Sequence, residues 1–175
     1  MDNSTALIEQ YGICAQLGAY RLLPVFQNTT EEVRRLITDM WERNRALPAG
    51  ANAEARARQV VVMALGPEGK PVGVSTVYKD SFAHTGMKAA PEGLYYFFRT
   101  FVQPSDRVHH LSRLLTACTY DHLRDLSDSA RPKGVVIVAE NPKLTKPVLE
   151  RLVGTLGWDY IGEDSRGKLV FRRDF

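Results

Sequence analysis

Several patterns that mark specialised classes of protein are missing from this chain of 175 residues. Its only two cysteines, Cys14 and Cys118, match no metal-ligand spacing and cannot be paired from the sequence, so we expect free thiols in a reducing cytoplasm. The N-terminus has no basic segment followed by an apolar one, and the longest apolar run, Val60–Leu65, is far too short to span a membrane. These absences predict a soluble cytoplasmic protein without a membrane partner.

An excess of charge of one sign is also missing. The formal net charge is +3, and basic residues are interleaved with acidic ones, which does not favour a nucleic-acid partner. The hydrophobic fraction of 44% and the charged fraction of 25% are those of an ordinary globular protein. The length fits a single domain, which we expect over residues 19–175, after a short lead over residues 1–18.

Four short motifs of common enzyme classes do not occur in the sequence, namely Gly-x-x-x-x-Gly-Lys, Gly-x-Ser-x-Gly, His-Glu-x-x-His and Cys-x-x-Cys. Their absence removes the commonest interpretations as an NTPase, a hydrolase or a metalloprotein. We therefore expect no metal.

Hydrophobic periodicity predicts a mixed α/β fold with helices on both faces of a sheet. The element order is β-α-α-β-β-β-α-β-α-β-β, with strands expected over residues 20–26, 59–65, 72–79, 94–102, 133–139, 158–161 and 168–172. The first helix is expected after a capping box of Thr29 and Glu32. Its apolar stripe is Val33, Leu36, Ile37, Met40 and Trp41. The strand over residues 94–102 is apolar on both faces, which predicts a central position in the sheet.

A cluster of basic and polar side chains follows this central strand, at the start of a predicted helix. Unpaired backbone N–H groups and the helix dipole make such a start a natural seat for a phosphate group. The cluster consists of Arg107, His109, His110, Ser112 and Arg113. A solvated polar helix start is the alternative interpretation of the same residues.

The segment Phe101–Leu115 resembles the core motif of the GCN5-related N-acetyltransferase (GNAT) superfamily. That motif is a strand ending in Val-x-Pro, followed by Arg/Gln-x-x-Gly-x-Gly/Ala at the start of a helix. A second block resembles the family's strand, Asn, helix and Leu-Gly-Phe ending, and it runs from Val138–Pro142 through a helix to Leu156–Trp158. The resemblance extends from Tyr20 to the C-terminus, and it implies a mixed, mostly antiparallel central sheet flanked by helices.

The resemblance also implies an activity, that of an acyl-CoA-dependent N-acyltransferase. Acetyl-CoA would be the acyl donor, and a small-molecule or peptide amine would attack its thioester directly. The implied CoA-binding residues are Phe101, Val102, Arg107, Val108, His109, His110, Leu111, Ser112, Arg113 and Asn141. A homodimer is compatible with the family.

The chain departs from the family pattern at two points that bear on activity. The two motif glycines are replaced by His110 and Ser112, and Val153 stands where many members have the tyrosine that protonates the departing thiolate. Glycine lets the backbone approach the pyrophosphate closely, so the β-carbon of His110 either obstructs the phosphates or its imidazole supplies a new donor. The alternative hypothesis is therefore a catalytically inactive GNAT-fold binding or regulatory module with a blocked cofactor loop.

An acyltransferase needs a base that takes a proton from the incoming ammonium group. The candidates for this catalytic role are His109, His110, Glu140 and Tyr96. His84, in the loop before the central strand, is a candidate for substrate binding and for the same proton transfer. Arg99 interrupts an otherwise aromatic strand, so it either binds a carboxylate of the acceptor or forms a salt bridge to a neighbouring element.

Overall fold

The computed structural model describes residues 3–126, 132–139 and 145–175. The strands are β1 (Ala15–Leu17), β2 (Tyr20–Pro24), β3 (Val60–Leu65), β4 (Pro71–Asp80), β5 (Tyr95–Val102), β6 (Gly134–Val138), β7 (Asp159–Glu163) and β8 (Leu169–Asp174). The helices are α1 (Asn3–Tyr11), α2 (Glu31–Arg43), α3 (Ala53–Ala57), α4 (Leu111–Arg124) and α5 (Lys146–Val153). Within the described ranges, no helix combines the length and the apolar character that crossing a membrane requires.

The eight strands form one mixed sheet in the order β1-β2-β3-β4-β5-β6-β8-β7. Strand β5 pairs in parallel with β6, with Tyr96 opposite Val135. The pairs β1–β2, β2–β3, β3–β4, β6–β8 and β7–β8 are antiparallel. The predicted mixed, mostly antiparallel α/β fold flanked by helices is therefore confirmed. The central position predicted for the strand over residues 94–102 is also confirmed, because β5 lies between β4 and β6.

The chain divides into two compact units, Met1–Thr76 with Thr100–His122, and Val77–Arg99 with Leu123–Phe175. In the first unit the apolar stripe of α2 packs on β2 and β3, and its core includes Leu23, Val33, Ile37, Met40, Trp41 and Met63. In the second unit the core includes Phe82, Tyr95, Phe97, Val136 and Val170. Burying each large side chain contributes about 1.5–3 kcal/mol, so these clusters account for the main stabilisation of each unit.

Local details at the N-terminal end differ from the prediction. The N-cap of α2 is Thr30, whose hydroxyl accepts the N–H of Val33 at 3.3 Å, and not Thr29. Two adjacent threonines offer the same cap chemistry, and only the backbone path selects between them. The N-terminal lead over residues 1–18 contains strand β1, which the hydrophobic periodicity does not predict. This strand has only three residues and is defined by its pairing with β2.

Both cysteines are free thiols, as expected, but they lie together. Cys14 is exposed and Cys118 is buried on α4. A hydrogen bond from the Cys118 thiol lowers the pKa of Cys14, and the same contact, together with burial, raises the pKa of Cys118.

Candidate functional site

The loop between β5 and α4 is fixed by one carboxylate. Asp106 accepts hydrogen bonds from the Gln103 side chain at 2.7 Å, the Ser105 hydroxyl at 2.7 Å and the Tyr20 hydroxyl at 3.2 Å. Burial raises the pKa of Asp106, but the hydrogen bonds from these three side chains outweigh it and hold the pKa below its usual range. The loop is therefore anchored by an ionised carboxylate at neutral pH.

Sequence reasoning missed this anchor. In the sequence, Gln103 and Asp106 are simply polar residues that follow a predicted strand, and Tyr20 lies 86 positions from Asp106 in the chain. No local pattern joins residues so far apart. Pro104–Asp106 forms a short 3₁₀ segment.

Arg107 closes the loop against the strand that precedes it. Its Nε donates a hydrogen bond to the carbonyl oxygen of Val102, the last residue of β5, at 3.2 Å. The remainder of the exposed guanidinium group can still face an anionic ligand. Arg107 therefore has a structural contact as well as the charge expected from the sequence.

His110 adopts a backbone conformation that glycine normally supplies. Its φ is +73°, and His110 is one of three residues other than glycine with positive φ in the part of the chain described. Its carbonyl oxygen accepts the N–H of Leu114 at 2.9 Å, which is the first bond of α4. The turn thus has a left-handed residue at the position of the first motif glycine, although that residue is histidine.

The start of α4 is suited to an anion. The first N–H groups of a helix have no acceptor within the helix, and the dipole places partial positive charge there. The first turn contains no acidic residue, and Ser112 and Arg113 are exposed on it. The exposed rings of His109 and His110 lie beside this turn, with 3.6 Å between their centroids.

Replacing His110 by glycine is expected to stabilise the protein by about 1 kcal/mol, because a left-handed residue with a β-carbon costs about 1–2 kcal/mol. Part of this gain is offset by the larger chain entropy of unfolded glycine. The melting temperature should rise by about 2–4 °C in a thermal denaturation. His109→Gly is the matched control, because His109 does not have a positive φ, and it should give no increase. Equal changes of the melting temperature in the two variants would contradict the left-handed conformation of His110.

A cavity of about 200 Å³ lies in the second unit, and it brings together two residues selected from the sequence. We call it the Arg99 cavity, and its lining includes Tyr78, His84, Phe97, Arg99, Asp164 and Arg166. These residues come from β4, the short 3₁₀ turn Phe82–Thr85, β5, and the turn between β7 and β8. His84 and Arg99, the two substrate-binding candidates, both line this cavity, and their role in binding a substrate stays a prediction.

The neighbours of His84 select which of its ring nitrogens carries the proton. Its Nδ1 lies 2.9 Å from the Ser81 carbonyl oxygen and 3.2 Å from the Asp80 carboxylate. Both partners are acceptors, so Nδ1 carries a proton and the lone pair of the neutral ring is on Nε2. The ring packs edge-on against Phe97, with 4.7 Å between centroids.

Arg99 is half-buried and lies over an aromatic ring. Its guanidinium carbon is 4.4 Å from the centroid of Tyr78, and Tyr78 in turn stacks on Phe97 at 5.4 Å. Across residues 3–126, 132–139 and 145–175, no carboxylate is within ion-pair distance of Arg99. The salt bridge considered from the sequence is therefore not found among these residues.

The other sequence candidates occupy different positions. Tyr96 is 1% exposed, with Lys79 Nζ 5.6 Å from its ring centroid, and it does not line the Arg99 cavity. His109 and His110 lie on the loop before α4. Glu140 and Asn141 lie outside the described residues.

Comparison with known proteins identifies the fold. No protein-family model and no curated protein sequence matches the chain. Among solved structures it resembles the ribosomal-protein-S5-alanine acetyltransferase of Vibrio fischeri, with a TM-score of 0.59, 9% identity, and coverage of 91% of this chain and 95% of that one. Arabidopsis thaliana NAA60 in complex with acetyl-CoA gives a TM-score of 0.58 and 10% identity over 89% and 98% of the two chains.

A third similar structure is yncA, a putative acetyltransferase from Salmonella typhimurium with its cofactor acetyl-CoA. Its TM-score is 0.57, with 14% identity over 90% of this chain and 94% of that one. The chain therefore has the GNAT fold, as the motif over Phe101–Leu115 predicted.

Proposed function

We propose that this chain of GNAT fold is an acyl-CoA-dependent N-acyltransferase that transfers the acetyl group of acetyl-CoA to an amine. The observation that carries the proposal is the backbone of His110. At the position of the first motif glycine, this residue has a φ of +73°, a conformation that glycine adopts without strain. The backbone path of a glycine is thus kept at this position, which supports binding of the pyrophosphate there.

In this proposal the pyrophosphate of acetyl-CoA lies at the N-terminus of α4. Backbone N–H groups of Ser112 and Arg113, in the first turn, donate to it, and Arg107 and Arg113 add positive charge. The N–H groups of Val108 and Leu111 instead donate to the carbonyl oxygens of Asp106 and Val108. The end of β5, at Phe101 and Val102, binds the pantetheine arm. Two of the similar structures contain acetyl-CoA, which supports the choice of donor. Asn141 stays a proposed contact of the same ligand.

The chemistry proposed is direct transfer. The amine nitrogen bonds to the thioester carbonyl carbon, the carbon–sulfur bond breaks, and coenzyme A leaves as a thiolate that takes up a proton from solvent. A base takes the proton lost by the ammonium group of the acceptor. Most of the acceleration comes from positioning and from polarisation of the carbonyl. His109, His110, Glu140 and Tyr96 stay proposals for the catalytic base.

Isothermal titration of acetyl-CoA, coenzyme A and pantetheine into the purified protein tests this proposal. We expect micromolar binding of the first two ligands and no measurable binding of pantetheine, which lacks the pyrophosphate. Release of free thiol from acetyl-CoA is then followed with a panel of amines. An amine-dependent release above the rate of hydrolysis is the expected result.

One outcome would assign the alternative function. If acetyl-CoA at millimolar concentration does not bind the wild-type protein but binds His110→Gly, the histidine blocks the loop and the protein is an inactive module. If neither protein binds acetyl-CoA, the proposal is also overturned.

A further inference from the structure

We propose that the Arg99 cavity is the acceptor site and that it takes a free amino acid, with the carboxylate paired to Arg99 and the amine directed to His84. The assignment of this cavity as the site of the acetyl acceptor rests on the acyltransferase function proposed above. The binding of an amino acid in the cavity does not depend on it.

The case for a carboxylate begins with the environment of Arg99. A half-buried guanidinium loses hydration, and this loss must be offset by an anion or by hydrogen bonds. The Tyr78 ring, 4.4 Å away, contributes a cation–π contact but no negative charge. A planar guanidinium over an aromatic ring presents two parallel N–H donors, which match the two oxygens of a carboxylate.

The remaining charges of the cavity are already neutralised. Asp164 has a side chain that is 1% exposed and forms an ion pair with Arg166 at 2.9 Å. The same carboxylate accepts the backbone N–H groups of Arg166 and Lys168, both at 2.9 Å. Burial raises the pKa of Asp164, but the hydrogen bonds from Lys168 and Arg166 outweigh it, so its pKa is lowered. The Asp164 carboxylate thus stabilises the turn between β7 and β8 through these bonds.

The hydrogen bonds of His84 leave one ring nitrogen for the amine. Asp80 and the Ser81 carbonyl both accept from Nδ1 of His84, so Nε2 of the neutral ring is an acceptor. An ammonium group of the ligand can donate to it and can transfer a proton there before it attacks a thioester. Arg99 and His84 both lie beside the same Tyr78 ring, at 4.4 and 6.3 Å from its centroid. The two ends of one small molecule can therefore be bound together.

The size and the walls of the cavity define the rest of the ligand. A volume of about 200 Å³ is below the range of about 300–1,000 Å³ for drug-sized ligands, and it suits a single amino acid. Tyr78 and Phe97 form an apolar stack on one side. This wall favours an apolar or aromatic side chain next to the carboxylate.

Binding to matched pairs of ligands tests the proposal without any acetyl-CoA present. Three amino acids are compared by ligand-observed NMR titration with the amines that lack only the carboxylate: phenylalanine with phenethylamine, tyrosine with tyramine, and lysine with cadaverine. We expect the amino acid to bind at least tenfold more tightly in at least one pair. Arg99→Leu should abolish this preference, and Arg99→Lys should restore part of it. Arg35→Leu, at an exposed position on α2, is the control for loss of one positive charge.

Equal affinity for both members of all three pairs would overturn the proposal, and so would a preference that Arg99→Leu leaves intact. His84→Ala should weaken the binding of phenylalanine but not that of phenylpropionate, which has no amine. An equal loss for both ligands would overturn the role of His84. A carboxylate preference in a protein that does not bind acetyl-CoA would retain this site and overturn only the acyltransferase proposal. If the protein binds acetyl-CoA but none of the amino acids, the amino-acid site is overturned and the acyltransferase proposal is retained.

Discussion

Replacing Ser112 by glutamate is expected to weaken the binding of acetyl-CoA by about a hundredfold. The substitution places a carboxylate in the first turn of α4, where the proposed function puts the pyrophosphate. Juxtaposed like charges cost several kcal/mol, and each 1.4 kcal/mol is a factor of ten in affinity. The affinity is measured by isothermal titration of acetyl-CoA into wild-type and variant proteins.

The same substitution should not harm folding, which makes it a cleaner probe than a change at Arg107. Ser112 is exposed, and a negative charge in the first turn of a helix is favourable by about 0.3–1 kcal/mol. Arg107, in contrast, bonds to the Val102 carbonyl, so replacing it also loosens the loop. Thr5→Glu is the matched control, because it places the same charge in the first turn of α1 at an exposed position. If both variants bind acetyl-CoA as the wild type does, the pyrophosphate does not lie on α4.

Replacing Gly134 by alanine is expected to lower the free energy of unfolding by about 3 kcal/mol. This value is near the upper end of the destabilisation that overpacking of a protein core usually causes. Gly134 begins β6 and pairs with Asp174 of β8. A β-carbon on Gly134 would overlap the carbonyl oxygen of Arg173 and lie 2.7 Å from the Cα atom of Asp174. These are backbone atoms of a paired strand, so they can make room only if the pairing shifts.

Gly154→Ala provides the control for this prediction. Gly154 has φ −59° and ψ −38°, and an added β-carbon meets no atom within 4 Å. Alanine there should raise the free energy of unfolding by about 0.5–1 kcal/mol, because glycine is entropically costly in a helical conformation. Urea denaturation measures both effects. A Gly134→Ala protein with the midpoint of the wild type would show that β6 and β8 do not pair in this register.

Much of the architecture could be predicted from local patterns. The spacing of Val33, Ile37, Met40 and Trp41 identified the buried face of α2, and all four are buried. Because both of its faces are apolar, the aromatic strand is predicted to lie at the centre of the sheet, and β5 lies there. Such predictions succeed because burial of an apolar face is the largest contribution to stability, and its period is visible in the sequence.

The details that depend on pairing could not be predicted in this way. Strand β1 is too short for any period, and Thr29 and Thr30 are chemically alike as caps. The predicted strand over residues 168–172 lies at 169–174, because its ends are set by bonds to β6 and β7. Hydrogen bonds between strands leave little trace in the side-chain pattern of either strand.

The sequence by itself determined the fold class, the central strand and the loop that carries the motif, because each is encoded by residues close together in the chain. Only the tertiary structure decided how His110 fits the turn, since φ is imposed by the path of the whole loop. It also decided that Tyr20 reaches Asp106 and that His84 shares a cavity with Arg99. Such contacts join residues that are distant in sequence, and local propensities carry no information about which distant residues will meet.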